Sequence, residues 1–270
     1  MTPVRGRWAA IALLLLGAGA RPGGAQAVPN RATAYLTAAD VADARAVWVN
    51  PAGLGARYEA SVHLDLTVRH PGAHGQLEQV TAGFNTRGLS FGYQRDNLPS
   101  GVPGHTFRLG VAGGYQRVAG GVAMAAYRGG TKGTGWDIGI RYELAAPVSI
   151  AAVVRDLGQP TVRGVRQEVA YIPATTVRAG GDLLAVSLQA SLGTAAVRGY
   201  VVAARATLPG PLGLGVMGRL DTDGSWRRRG FAVGVSVGRR DHVGVVATAP
   251  GDFAHVDAAS VYGVSSRVPR

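Results

Sequence analysis

Histidine, serine and aspartate are the residues of this chain that could support catalysis or bind a metal. The six histidines stand at positions 63, 70, 74, 105, 242 and 255, and none has a metal-ligand spacing or accompanies a G-x-S-x-G element. His70 and His74 are four residues apart, but the Pro-Gly pair between them argues against a shared helical face. Ser265 or Ser266 with His255 is only a nominal hydrolase pair. We therefore predict no catalytic residue, no metal site, no cofactor and no enzymatic activity.

Arginine supplies almost all of the positive charge. Lys132 is the only lysine, and the formal net charge is +12. Because guanidinium groups bind planar carboxylates and phosphates with paired hydrogen bonds, a ring of them could hold an anionic ligand. The alternative is that these arginines are solvated or paired with carboxylates of the chain. Five lie on the polar faces of five alternating segments: Arg108, Arg141, Arg178, Arg205 and Arg219.

A period-two pattern of apolar and polar residues fills the chain from Tyr58 onward, as in strands with two different faces. In SVHLDLTVR, residues 61–69, the apolar side chains at even positions share one face and the polar ones share the other. The one longer interruption, Gln159–Pro173, is predicted to be a surface loop or an inward fold. The pattern predicts fourteen strands, near 58–69, 75–85, 87–96, 105–117, 120–128, 134–144, 147–156, 174–182, 184–193, 196–208, 211–220, 228–239, 242–248 and 256–266.

The first 27 residues have the pattern of a secretory signal peptide. Arg5 and Arg7 precede an apolar run of about 13 residues, shorter than the roughly 20 that span a bilayer, and a small-x-small ending stops at Ala27. Cleavage there removes three arginines and lowers the net charge from +12 to +9. The chain has no cysteine for lipid attachment or disulfides. Export, with no zinc spacing or aromatic RNA-binding signature, argues against nucleic acid as a partner.

Two architectures fit alternating strands, a soluble β-sandwich and a transmembrane barrel. A sandwich buries its apolar faces in a core, whereas a membrane barrel turns them to lipid and points the polar faces at the lumen. Fourteen strands in one sheet need closure to remove their edges. The polar faces are mostly small residues and arginine, which suit a lumen. Tyrosines near predicted strand ends suit an interfacial girdle: Tyr93, Tyr115, Tyr127, Tyr142 and Tyr262. The barrel is the favoured prediction.

The segment DARAVWVNPAGL, residues 43–54, stands just before the first predicted strand. It resembles the N-terminal region of the FadL-type and PorV/PorQ-type outer-membrane proteins. VVRDLGQP (153–160) and YIPATTVRAGG (171–181) are similar to stretches of the PorV/PorQ branch. The resemblance covers residues 34–266 and implies a transmembrane antiparallel barrel of about fourteen strands. The predicted parts of the chain are a signal peptide (1–27), a short N-terminal plug (28–57), the barrel (58–266) and a C-terminal tail (267–270).

The plug motif also has a physical interpretation. Asn50 before Pro51 favours an extended residue followed by a turn, and Gly53 permits a tight conformation. One alternative is an ordinary turn before a strand. The other is a plug inside the lumen, with Trp48 and Leu54 packed on the barrel wall.

The resemblance implies an outer-membrane location and two alternative functions. The first is a passive channel or transporter for small hydrophobic or amphipathic molecules; the long outer loops of FadL-type transporters are missing, which counts against fatty acids. The second is a PorV/PorQ-like accessory of a protein-secretion machinery. The corresponding partners are outer-membrane lipid, a small amphipathic ligand or secretion-system proteins. A secreted soluble β-sandwich that binds a ligand is a third alternative.

Overall fold

The computed structural model describes residues 33–72, 74–97, 101–129, 133–162, 165–252 and 254–268. Within these residues, fourteen strands form one closed antiparallel barrel, and two more form a separate short hairpin. The predicted signal peptide, residues 28–32 of the predicted plug and the last two residues of the tail lie outside the described residues. The barrel strands are β1 (Ala60–Arg69), β2 (Gln76–Thr86), β3 (Leu89–Asp96), β4 (Gly104–Tyr115), β5 (Val118–Gly129), β6 (Gly133–Ala145), β7 (Val148–Leu157), β10 (Ala170–Ala179), β11 (Leu184–Leu192), β12 (Val197–Thr207), β13 (Gly215–Asp223), β14 (Arg228–Gly238), β15 (Asp241–Pro250) and β16 (Ala258–Arg267).

Each barrel strand pairs with its neighbour in the chain, and β1 pairs with β16 to close the ring. The predicted number of barrel strands is therefore confirmed. The short hairpin, β8 (Thr161–Val162) with β9 (Val165–Arg166), lies in the predicted interruption between β7 and β10. Val162 is buried against Ala125 and Tyr127, so this interruption folds inward.

Two strands, β10 and β13, are displaced from their predicted bounds by three or four residues at each end. β10 begins at Ala170. The prediction starts this strand near residue 174, because Pro173 indicates the end of a loop. The chain is extended there and pairs with β7. On the β11 side, Tyr171 and Ala174 are paired but the two residues between them are not. Proline has no N–H to donate, which accounts for this gap in the ladder. β13 begins at Gly215 rather than near 211, after a turn in which Gly213 has φ +59°.

The barrel wall is apolar outside and polar inside. On β1, Val62 and Leu64 are 53% and 52% exposed, whereas His63 and Asp65 are 4% and 1% exposed. A sandwich would bury the apolar face instead, so the soluble β-sandwich alternative is wrong. An exposed apolar belt on a closed barrel is the surface that lipid requires.

The predicted tyrosine girdle is wrong at two of its five positions. Tyr127 and Tyr262 point inward and are 8% and 2% exposed. Tyr262 has the same parity on β16 as the buried Ser260, and its ring stacks on Tyr35 with a centroid distance of 5.3 Å. The alternation itself therefore determines which tyrosines reach the outer face. The outward ones are Tyr93, Tyr115 and Tyr142.

The two ends of the barrel have different connections. Two-residue turns join β2 to β3, β4 to β5, β6 to β7 and β14 to β15 at the end where β1 begins and β16 ends. We call this the turn end. Residues 180–183 and 208–214 form the other connections at this end. The opposite end, the loop end, has connections of three to twelve residues, including 97–103, 158–169 and 251–257.

Residues 33–55, which we call the inner segment, precede β1 and are almost entirely buried. They contain one four-residue helix, α1 (Ala46–Val49), and a 3-10 turn, Pro51–Gly55. The 3-10 turn packs against β4, β5 and β6, and α1 packs against β3 and β4. No helix among the described residues is long and apolar enough to cross a membrane.

Candidate functional site in the barrel interior

Asn50 and Pro51 determine the local shape of the inner segment. Asn50 is extended, with φ −149° and ψ 106°, as a residue before proline prefers, and Pro51 starts the 3-10 turn. The Asn50 side chain accepts a hydrogen bond from Ala52 N at 3.1 Å and donates one to Ala38 O at 2.8 Å. Asn50 therefore caps the turn and also ties it to the chain twelve residues earlier.

Inward-facing glycines on four neighbouring strands provide the space for this segment. A Cβ on Gly92 would lie 2.7 Å from the Trp48 ring, and a Cβ on Gly139 would overlap the Asn50 amide. Both contacts are too close for any side chain, so the segment fits because the wall is bare there. The four glycines are Gly92, Gly110, Gly121 and Gly139. All five predicted plug-motif residues are buried: Trp48, Asn50, Pro51, Gly53 and Leu54.

The structure places all five predicted arginines on the inward face, but most of their donors are already used. Arg108, Arg141 and Arg219 donate to the backbone oxygens of Val47, Val41 and Leu36 at 3.0, 3.0 and 2.7 Å. The same three guanidinium groups also pair with the wall carboxylates Asp137, Glu143 and Asp221. These ion pairs match the alternative in which the arginines pair with carboxylates of the chain. The backbone of the inner segment supplies further hydrogen-bond acceptors.

Arg178 and Arg205 converge on one carboxylate of the inner segment. Asp40 lies 2.9 Å from Arg178 Nη2 and 3.3 Å from Arg205 Nη2. Burial by itself would raise the pKa of the Asp40 carboxyl, but the charges of Arg205 and Arg178 outweigh it, so the pKa is lowered. Asp40 is therefore ionised at neutral pH and joins the segment to β10 and β12. Ligand binding by the five arginines stays a prediction.

Sequence reasoning missed a sixth arginine that holds the segment. Arg155 Nη2 donates to Val49 O at 2.9 Å. The alternation along β7 could have identified it, since Arg155 lies on the same face of the strand as the inward Ser149 and Val153. Ser149 itself donates to Ala39 O at 3.0 Å.

A second polar cluster surrounds Arg45, which the sequence did not single out. Arg45 forms a two-pronged ion pair with Asp43 and donates to the Tyr35 hydroxyl at 2.8 Å. Burial would raise the pKa of Asp43, but the attraction and hydrogen bonds of Arg45 hold it well below its usual range. On β1 beside this cluster, His63 Nε2 lies 3.8 Å from Asp65 Oδ2, and both side chains are buried.

The inner segment separates two cavities. The cavity toward the turn end has a volume of about 580 Å³ and reaches Arg57, Arg239 and Ser266. The cavity toward the loop end has a volume of about 360 Å³ and reaches Asp156, Arg198 and Arg229. Leu36 lines both. The inner segment therefore lies between these two cavities, and a further cavity of about 390 Å³ lies at the turn end beside Gly55, Arg57 and Arg141.

The nominal hydrolase pair is not assembled. Ser265 donates to Asp241 at the turn end, whereas His255 lies in the loop between β15 and β16 at the other end. The extended part of β16 from Ala258 to Ser265, seven residue steps or about 23 Å, lies between them. Among the described residues, no group of three or more His, Cys, Asp or Glu side chains is arranged to hold a metal.

Known proteins resemble this chain in structure rather than in sequence. No model of a known protein family matches the sequence, and no curated protein does. A FadL homologue of Pseudomonas aeruginosa aligns over 88% of this chain and 97% of its own, at 8% identity and a TM-score of 0.52. This chain has the fold of a FadL-type outer-membrane barrel. The Pseudomonas putida toluene transporter TodX aligns over 85% of this chain and 94% of its own, at 9% identity and a TM-score of 0.49. A mutant porin of Rhodopseudomonas blastica aligns over 77% of this chain and 99% of its own, at 10% identity and a TM-score of 0.45. The likeness to the PorV/PorQ branch stays a prediction.

Proposed function

We propose that this protein is an outer-membrane transporter whose lumen is closed by the inner segment and opens when that segment moves. One observation carries the proposal: residues 33–55 lie between two cavities that reach opposite ends of the barrel. The segment is held by an apolar cluster that includes Val47, Trp48 and Leu54, and by polar contacts from four different strands. The polar contacts come from Arg108, Arg141, Arg178 and Arg219. Water can replace hydrogen bonds of this kind when the segment moves, whereas exposure of the apolar cluster opposes its release and keeps the closed state favoured.

The apolar outer wall and the fold support an outer-membrane location. Bacterial outer-membrane barrels have short periplasmic turns and longer extracellular loops. The two-residue turns of this barrel all lie at the turn end, where β1 begins. The proposed orientation therefore has the turn end in the periplasm and the loop end outside the cell.

The turn-end cavity supports an amphipathic cargo. One part of its lining is apolar, from Leu36, Met217 and Tyr262. Another part is charged, with five arginines, among them Arg239 and Arg240, against four carboxylates. Such a lining fits a molecule with an apolar body and an anionic group. The alternative role as a secretion accessory stays a prediction.

Deletion of residues 30–54 tests the closure. We expect single-channel conductance in planar bilayers to rise well above that of the intact barrel, because the deletion joins the two cavities. Unchanged conductance would contradict the proposal. For the cargo, proteoliposomes should take up 8-anilinonaphthalene-1-sulfonate, an anionic aromatic amphipath, faster than glucose. Equal uptake of both would indicate a general pore.

A further inference from the structure

Three basic side chains stand side by side on the outer face of the barrel. Arg95 on β3 pairs with His105 on β4, and His105 pairs with Arg128 on β5. Their parity is that of the outward residues of these strands, so they face the surroundings of the barrel and not the lumen. Neighbouring strands are about 4.8 Å apart, which separates the Cα atoms of the two arginines by about 10 Å. All three lie within two residues of the loop end of their strands.

The row directly below, toward the middle of the barrel, is aromatic on β3 and β4 and has Ala126 on β5. Tyr93 and Phe107 pair across β3 and β4 with ring centroids 5.3 Å apart. The Tyr93 hydroxyl is 2.8 Å from His105 Nδ1, which joins the aromatic row to the basic one. Aromatic belts mark the boundary between hydrocarbon and headgroups. Two residues of strand, about 7 Å, then put the basic row at headgroup level.

The wall below the basic row is apolar. On the three strands, the next outward positions are Phe91, Leu109, Met124, Leu89, Val111 and Val122. Arginines at the edge of such a belt extend toward the headgroup layer, where they meet the anionic groups of lipids. One guanidinium is also oriented, since Arg128 Nη1 donates to Tyr127 O at 2.8 Å.

We propose that Arg95, His105 and Arg128 bind the phosphate groups of a glycolipid in the outer leaflet of the outer membrane. This proposal rests on the location and orientation proposed above. Two arginines whose Cα atoms are about 10 Å apart can reach either one phosphate from both sides or two phosphates of one sugar headgroup. The apolar wall beneath accepts the acyl chains of the same lipid. The partner is therefore a phosphorylated lipid, because a free anion would use only the upper half of this surface.

The test is equilibrium binding of fluorescent lipid A to the purified full-length barrel in detergent. The double variant Arg95→Gln/Arg128→Gln removes two charges and keeps two long polar side chains. The matched control is Arg117→Gln, in the two-residue turn at the opposite end of the β4–β5 hairpin. Each basic residue near an anionic membrane surface strengthens binding roughly five- to sixfold, so the loss of two should weaken binding about thirtyfold. The control should bind as the unaltered protein does, and lipid A without phosphates should bind the unaltered protein at least tenfold more weakly.

Several results would overturn this assignment. Equal binding by the double variant would remove the basic row as the site, and equal binding of dephosphorylated lipid A would remove phosphate as the recognised group. Complete displacement by millimolar inorganic phosphate would show an anion site without lipid contact. Heat-modifiable gel migration checks that each variant is folded. The assay needs no transport, and the double variant should keep the conductance of the unaltered barrel, so failure of the transport proposal would appear only in the deletion experiment.

Discussion

Replacement of Asp40 by asparagine should release the inner segment from the wall. Asp40 accepts from Arg178, whose side chain is 9% exposed, and from Arg205, which is 36% exposed. A charged hydrogen bond to the buried partner contributes about 1.5–3 kcal/mol. The half-exposed partner adds about 0–1 kcal/mol, since solvent screens it. The sum, about 1.5–4 kcal/mol, corresponds to an increase of about 10- to 700-fold in the released population.

The absence of cysteine from the chain makes a simple assay possible. Val47 is fully buried in the inner segment, and Val47→Cys introduces a single thiol of similar size there. The rate at which a polymer-linked maleimide labels this thiol reports how often the segment leaves the lumen. Asp40→Asn in this background should label about 10- to 700-fold faster, in line with the free-energy loss.

The matched control is Asp182→Asn in the same background. Asp182 lies 3.7 Å from the same Arg178, but in an exposed turn and not in the inner segment. Its labelling rate should stay close to that of the Val47→Cys parent. If Asp40→Asn labels no faster than Asp182→Asn, the ion pairs do not hold the segment and the reasoning is refuted.

Further predictions concern the same segment. Because the pKa of Asp40 is lowered in the folded protein, its contribution is complete above the ordinary carboxyl pKa of about 3.9 and is lost as pH falls through the folded value. Because maleimide reacts with the thiolate, the labelling rate of Val47→Cys is divided at each pH by that of a free-thiol peptide. This ratio should be constant from about pH 5 to 8 and rise in stronger acid, and Asp40→Asn should flatten that rise; a ratio that changes between about pH 5 and 8 would contradict this. Gly139→Ala should push the Asn50 amide away from the wall and speed labelling at least tenfold, whereas Gly218→Ala, where a Cβ meets nothing within 4 Å, should not. Trp48→Ala removes a side chain that is 5% exposed and should weaken docking by about 3 kcal/mol while gel migration of the barrel stays heat-modifiable; loss of that migration would show that the segment is needed for the barrel itself.

The sequence determined the barrel wall because period-two alternation is a local property. Each strand records in its own residues which face meets lipid and which meets the lumen, so fourteen strands and the inward parity of Arg108 or Arg141 followed from spacing alone. The predictions were wrong where one residue type occurs in two different structural settings. Pro173 indicated a loop but lies inside β10, and Tyr262 indicated an interface but lies in the lumen.

Only the tertiary structure decided what the inward side chains bind. Asp40 and its two arginines are 138 and 165 residues apart in the chain, and no spacing rule connects them. The same holds for the glycines that receive Trp48 and Asn50, since a bare wall position is recognisable only once the facing segment is in place. Closure of the ring makes these contacts, because it brings strands from the whole chain around one segment and turns a face of scattered polar residues into a single interior.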